Sequence, residues 1–289
     1  RVDVMSDTLT QLTDGDHSFA GWHYQAAQDA HALSIATAKN PGDISVLMPQ
    51  GTLQRVTHIF DKLADQMTLP SVEAVGWKGE DGADIEGLLY YPVGYKKGTR
   101  YPLVVQTHGG PSSSDQFGNF SRTYFMQVLT AQGYAVLKTN YRGSTGYGDI
   151  FMRDMVGGYF NQAHLDVMKG VDHLIDIGLA DPDRLIKMGW SAGGHMTNKL
   201  ITHTSRFKAA ASGAGALNWV SMIAQSDIRL WREAWFGGSP WQENAPLDKY
   251  LEHSPLKDIS KVTTPTLILV GGSDVRVPPP QSIAMYHAL

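Results

Sequence analysis

The sequence has no cysteine. That absence excludes a disulfide scaffold, a cysteine-ligated metal and a thiol nucleophile, while leaving the compartment open between cytoplasm and periplasm. Charge is sparse as well: Asp, Glu, Lys and Arg supply 18% of the 289 residues, with a net charge of -4. A chain with 42% apolar residues and so little charge is neither disordered nor strongly polar. It has no electrostatic pull toward nucleic acid or an anionic membrane. No apolar run approaches the ~18 residues of a membrane span. Histidine pairs at metal-ligand spacing are missing too, so neither a metal nor an organic cofactor is expected. The first residue is Arg1 rather than Met, and no signal-peptide pattern follows it. The chain therefore reads as a piece of a longer protein.

What is present falls into two textures. Up to about residue 70 there are short strands and turns, and Thr8–Thr13 is echoed by Thr52–Thr57, 44 positions later. A period of about 40–45 residues with several strands per unit is the mark of a β-propeller blade. Two copies could also coincide inside an ordinary antiparallel region. Between them, Ala32–Thr37 and Ile44–Met48 flank a turn at Lys39–Asp43. A single blade cannot bury both faces, so earlier blades are expected upstream.

From Val72 onward, a hairpin around Glu80-Asp81-Gly82 gives way to alternating strands and helices. Apolar runs at Leu103–Val105, Ala135–Leu137, Leu185–Met188 and Thr266–Val270 read as strands, the last one as buried. Helical spacing runs over 121–132, over 161–177 and from Ala192. This predicts an α/β domain, a mostly parallel sheet with helices on both faces, over 71–289, preceded by a β-rich segment over 1–70.

Gly189-Trp190-Ser191-Ala192-Gly193 has the G-x-S-x-G form of a nucleophile elbow. A pentapeptide alone is a weak signal; its place after an apolar strand and before an apolar helix is what an elbow requires. Ser191 is the candidate nucleophile. One oxyanion donor should be the N–H of Ala192, and the second should come from the glycine loop His108-Gly109-Gly110-Pro111. His108 precedes Ser191 and reads as a buried, hydrogen-bonded residue rather than a base. Asp274 follows the strand Leu267–Val270 and is the candidate acid, whereas Asp227, Asp248 and Asp258 lack such a strand. Only His287 follows Asp274, on a helical stretch with no strand between, so the sequence shows no general base. Arg142 and nearby glycines suggest a phosphate cradle, but no Gly-Lys-Ser/Thr follows, which favours a structural loop. Trp219 and Trp231 either line an apolar pocket or pack an inserted helix.

Together, His108–Pro111, Asn140–Gly148, Gly189–Met196 and Asp274–Pro278 with Gln281-Ser282 resemble the prolyl oligopeptidase family of serine peptidases, its acylaminoacyl-peptidase and dipeptidyl-peptidase branches most. The resemblance covers nearly the whole chain. It implies an α/β-hydrolase fold preceded by the last part of a β-propeller, cleavage of short peptides through a Ser-Asp-His triad, Gly110 and Ala192 as oxyanion donors, and Arg276 near the substrate pocket. Two departures stand out. Ala192 occupies a position commonly held by Tyr, and the family's His, with one more strand, would fall beyond Leu289, leaving this chain nearly inactive alone. A carboxylesterase on the same scaffold, or a binding protein without catalysis, are the alternatives.

Overall fold

The computed structural model of the chain describes residues 2–118 and 120–289. At the N-terminus, β1 (Val2–Asp3) pairs with β2 (Thr8–Leu9) in a two-stranded sheet of its own. A four-stranded antiparallel meander follows: β3 (His17–Gln25), β4 (Ala30–Thr37), β5 (Asn40–Leu47) and β6 (Leu53–Arg55). The expected β4–β5 hairpin forms, but its turn lies at Ala38-Lys39 rather than over Lys39–Asp43, because Asn40–Asp43 pair as the start of β5. Thr8–Leu9, read as a counterpart of the Thr52–Thr57 strand, stands outside this sheet. The buried Asp43 carboxylate fastens β5 to the chain beyond β6, accepting from Thr57 Oγ1 at 2.6 Å and the Ile59 N–H at 3.0 Å. A one-turn helix, α1 (Asp61–Ala64), leads on.

The second unit is built on a seven-stranded sheet. β7 (Val72–Lys78) and β8 (Asp84–Tyr90) form the antiparallel hairpin, and β8 runs antiparallel to β10 (Ala135–Asn140). The rest are parallel: β9 (Tyr101–Thr107), β10, β11 (Ala180–Trp190), β12 (Phe207–Gly213) and β13 (Thr266–Leu269). The spatial order is β13-β12-β11-β9-β10-β8-β7. From β9 the chain goes to β10 on one side and then to β11, β12 and β13 on the other, so the order reverses there and opens a crevice at the carboxyl ends of β9 and β11.

Both sheet faces are covered, which is why the central strands read as continuous apolar runs. Leu89, Leu103, Val105 and Leu137 face a large core shared with Val167 and Val171 of α4 (Ala163–Asp176) and Met196 and Leu200 of α5 (Ala192–His203). Their neighbours Leu88, Val104 and Val136 face the opposite layer and Met126 of α2 (Phe120–Ala131). A short helix, α3 (Asp149–Arg153), precedes α4. After β12 come α6 (Trp219–Gln225), α7 (Arg229–Phe236) and α8 (Leu247–Glu252), and α9 (Pro279–Ala288) follows β13. β13 differs from the expectation of a buried strand. It is the outer strand of the sheet, and Leu267 and Leu269 are exposed, because burial depends on neighbours and not on composition.

The two units touch closely. Ser18 of β3 donates to the Phe117 carbonyl at 2.6 Å, and a Cβ on Gly118 would stand 2.3 Å from that of Ala36.

Candidate active site

Ser191 sits between the end of β11 and the first residue of α5, with φ 59° and ψ -120°. A non-glycine residue in this region costs on the order of 1–3 kcal/mol and persists only where its surroundings hold it. Here its N–H donates to the Gly213 carbonyl at 2.9 Å, and its carbonyl accepts the His195 N–H at 2.9 Å. The glycines around it are required by backbone contact. A Cβ on Gly189 would lie 2.3 Å from the Gly193 oxygen, and one on Gly194 would lie 2.2 Å from the Gly213 oxygen.

Across the crevice, the loop after β9 closes on the elbow. A Cβ on Gly109 would stand 3.2 Å from Ser191 Cβ and 3.8 Å from Oγ. Gly110 has φ 128°, and a Cβ there would meet the Ser112 nitrogen at 2.9 Å. His108 is buried, with Nδ1 2.9 Å from the Gly109 oxygen, Nε2 2.9 Å from Ser144 Oγ, and its ring stacked on Tyr141 at 4.5 Å. Burial lowers its pKa. Tyr141 in turn donates to the His108 carbonyl at 2.8 Å. His108 is thus a strut that shapes the loop, as its place before Ser191 suggested. Arg142 is likewise structural: its Nε and Nη2 grip the fully buried Asp166 at 2.9 and 2.7 Å, leaving no phosphate cradle.

A narrow cavity lies beneath Ser191, and Gly110, Ala192 and Trp219 share its wall. Ala192 opens α5, where the first N–H groups have no intrahelical acceptor. Such a helix start favours negative charge beside Ser191. Trp231 lies away from this cavity, half-exposed and edge-on to Trp235 at 4.9 Å. Arg276 points outward and pairs with Asp227 at 2.9 Å. Asp274 lies in the turn after β13, its Oδ1 accepting the N–H groups of Arg276 at 2.8 Å and Val277 at 3.0 Å. Because β12 separates β13 from β11, strand spacing puts roughly 10 Å between the Ser191 and Asp274 strands. Any communication between the two side chains needs a bridging group. His287 is exposed near the end of α9.

The cavity also contains residues the sequence did not single out as its lining: Tyr159, His195, Met222, Arg232 and Val277. His195 was legible in principle, since it lies one turn into the helix that Ser191 precedes, its N–H bonded to the Ser191 carbonyl. Its Nδ1 lies 3.1 Å from the Ala216 carbonyl, and burial pushes its pKa down to about 3. Arg232 had no local signal, because α7 reaches the cavity only through tertiary packing.

A sheet of this order, carrying a strained serine at the switch point with a glycine loop against it, defines an α/β-hydrolase-like domain. The model of the prolyl oligopeptidase family matches residues 119–289. The chain belongs to that family of serine peptidases, acylaminoacyl-peptidase-like in its relatives. It is 37% identical over 261 residues to an uncharacterised peptidase of Bacillus subtilis, covering 88% of this chain and 39% of that protein. To the human acylamino-acid-releasing enzyme it is 32% identical over 309 residues, covering all of this chain and 41% of that one. Among solved structures, the acylaminoacyl peptidase of Pyrococcus horikoshii superposes with a TM-score of 0.84 at 26% identity, over 96% of this chain and 43% of the other. The chain thus spans about two fifths of the length of these relatives.

Proposed function

We propose that this chain is the catalytic part of a serine peptidase that cleaves short peptides through an acyl-enzyme, in the manner of an acylaminoacyl- or dipeptidyl-peptidase. The observation that carries the reading is the strained backbone of Ser191 facing the Gly109–Gly110 loop across the β9/β11 crevice. In this reading Ser191 Oγ attacks the peptide carbonyl. The N–H groups of Gly110 and Ala192 receive the oxyanion, in a site where such donors lower the barrier most. Asp274, with Oδ1 fixed by two backbone amides, orients an imidazole that takes the serine proton and returns it to the leaving amine.

That imidazole is assigned to residues following Leu289 in the whole protein, together with a strand that pairs with β13. The exposed Leu267 and Leu269 and the gap between the Ser191 and Asp274 strands support this assignment. Residues 1–70 are read as the last part of a β-propeller, supported by the four-stranded meander, and 71–289 as the peptidase domain. Residues 1–289 alone should then be nearly inactive, since a triad without its base retains only oxyanion and binding contributions. Trp219 is assigned to the substrate pocket, and the outward Arg276 and half-exposed Trp231, whose ring faces Arg232, to the approach to it.

The test is labelling with a fluorophosphonate and hydrolysis of acyl-aminoacyl and dipeptidyl anilides beside p-nitrophenyl esters, using the full-length protein. Labelling at Ser191 with anilide cleavage is expected. Cleavage of esters alone would replace the peptidase reading with an esterase, and no labelling at all would remove catalysis from Ser191.

A further inference from the structure

Arg232 lies on α7 with 4% of its surface exposed, yet it forms no ion pair among the described residues. Its Nε and Nη1 are buried without a hydrogen-bond acceptor among the described residues. The guanidinium is instead surrounded by rings, its carbon 5.7 Å from the centroid of Trp219 and 5.9 Å from those of Trp231 and Trp235. Ring faces attract a cation, but they accept none of its hydrogen bonds in the plane of the fork. Trp219 Nε1 is a further buried donor without a partner. Arg232 and Trp219 both line the cavity beneath Ser191. The nearby carboxylates are engaged elsewhere: Asp227 holds Arg276, and Asp274 accepts two backbone amides.

Buried donors are normally satisfied, and a buried guanidinium without a carboxylate is the costliest exception. The low-dielectric surroundings of Tyr159, Met222 and Val277 strengthen the attraction for whatever charge enters. We propose that this cavity receives an acidic side chain from the substrate residue whose carbonyl Ser191 attacks, with Arg232 as its counter-ion and the specificity-determining residue. The proposal rests on the peptidase reading above. The cavity measures about 10 Å³, the space of a single water, so entry requires the unbranched Met222 side chain to give way. The shorter aspartyl side chain should therefore be preferred to glutamyl, and both to leucyl or phenylalanyl.

The experiment compares kcat/KM for acetyl-Asp, acetyl-Glu and acetyl-Leu p-nitroanilides in the full-length protein, in wild type, Arg232→Met and Arg232→Lys. Wild type should favour acetyl-Asp over acetyl-Leu by about tenfold or more. Arg232→Met should lower the acetyl-Asp to acetyl-Leu ratio of kcat/KM by about 10²-fold, because only the acidic substrate then buries a charge without its partner. Arg232→Lys keeps the charge without the fork and should fall between; it also serves if Arg232→Met does not fold. A wild-type preference for acetyl-Leu, or an Asp/Leu ratio unchanged in both variants, overturns the proposal and leaves Arg232 a packing residue. Fluorophosphonate labelling of Ser191 in the same preparations separates the levels. Labelling without acidic preference defeats this inference alone; neither labelling nor hydrolysis of any anilide defeats it together with the peptidase reading.

Discussion

A Cβ on Gly193 would stand 2.1 Å from the carbonyl oxygen of Thr107, so the first turn of α5 meets the end of β9 backbone to backbone. Only hydrogen fits there. This contact couples the elbow to the strand that carries the His108–Pro111 loop.

Replacing Gly193 with Val should therefore part α5 from β9, at a cost of about 1–3 kcal/mol typical of overpacking. Urea unfolding should show the loss, and Ser191 in the full-length protein should no longer react with a fluorophosphonate. An unchanged midpoint with normal labelling would mean the contact yields easily.

Ser191 itself stores strain at φ 59° and ψ -120°. Ser191→Gly should relieve it and raise stability by about 1 kcal/mol, whereas Ser191→Ala keeps the strain and should match wild type. Both abolish labelling. Equal unfolding midpoints for the Gly and Ala variants would contradict the strain.

Gly110 has φ 128°, and its would-be Cβ meets the Ser112 nitrogen at 2.9 Å. Gly110→Ala must shift the loop and with it the proposed oxyanion N–H. The expected result in the full-length protein is a fall in kcat of about 10²-fold with KM changed little. A change confined to KM would place Gly110 in ground-state binding instead.

Three largely desolvated imidazoles, those of buried His195 and His253 and of half-buried His164, set an acid limit, with burial taking His253 down to about 4. Burial pushes both His195 and His164 down to about 3, from an ordinary value near 6.5. The unfolded chain then binds more protons than the folded one between those values, so stability rises with pH in that window. The contribution is complete above about 6.5 and is lost as pH falls toward 3. Urea midpoints should be level from pH 8 to 7 and should already decline between pH 6.5 and 5, above the range where ordinary carboxylates titrate. A flat profile down to pH 5 would show that these rings charge without unfolding.

Much of the hydrolase-like unit was legible locally. The β7–β8 hairpin, the alternation of Leu103, Val104 and Val105 between two cores, and the glycines of the elbow each follow from nearest-neighbour chemistry. The nine-residue strand β3 was not, since His17–Gln25 mixes polar and aromatic residues and is held by its pairing with β4. Nor was the exposure of β13, which is decided by what lies beside it.

By itself, the sequence determined the chemistry on offer: a serine at a strand-to-helix turn, glycines where backbones must pass, and no thiol. Those properties are local, since φ, Cβ contacts and residue type are set within a few positions. Tertiary structure alone decided which groups share a cavity. It placed Trp219 in one cavity with Ser191 and left Trp231 outside, and it turned Arg276 toward Asp227. It also buried Arg232 without an ion pair among the described residues. The reason is physical: a charge's surroundings come from elements distant in the chain, and no local pattern records which of them will meet.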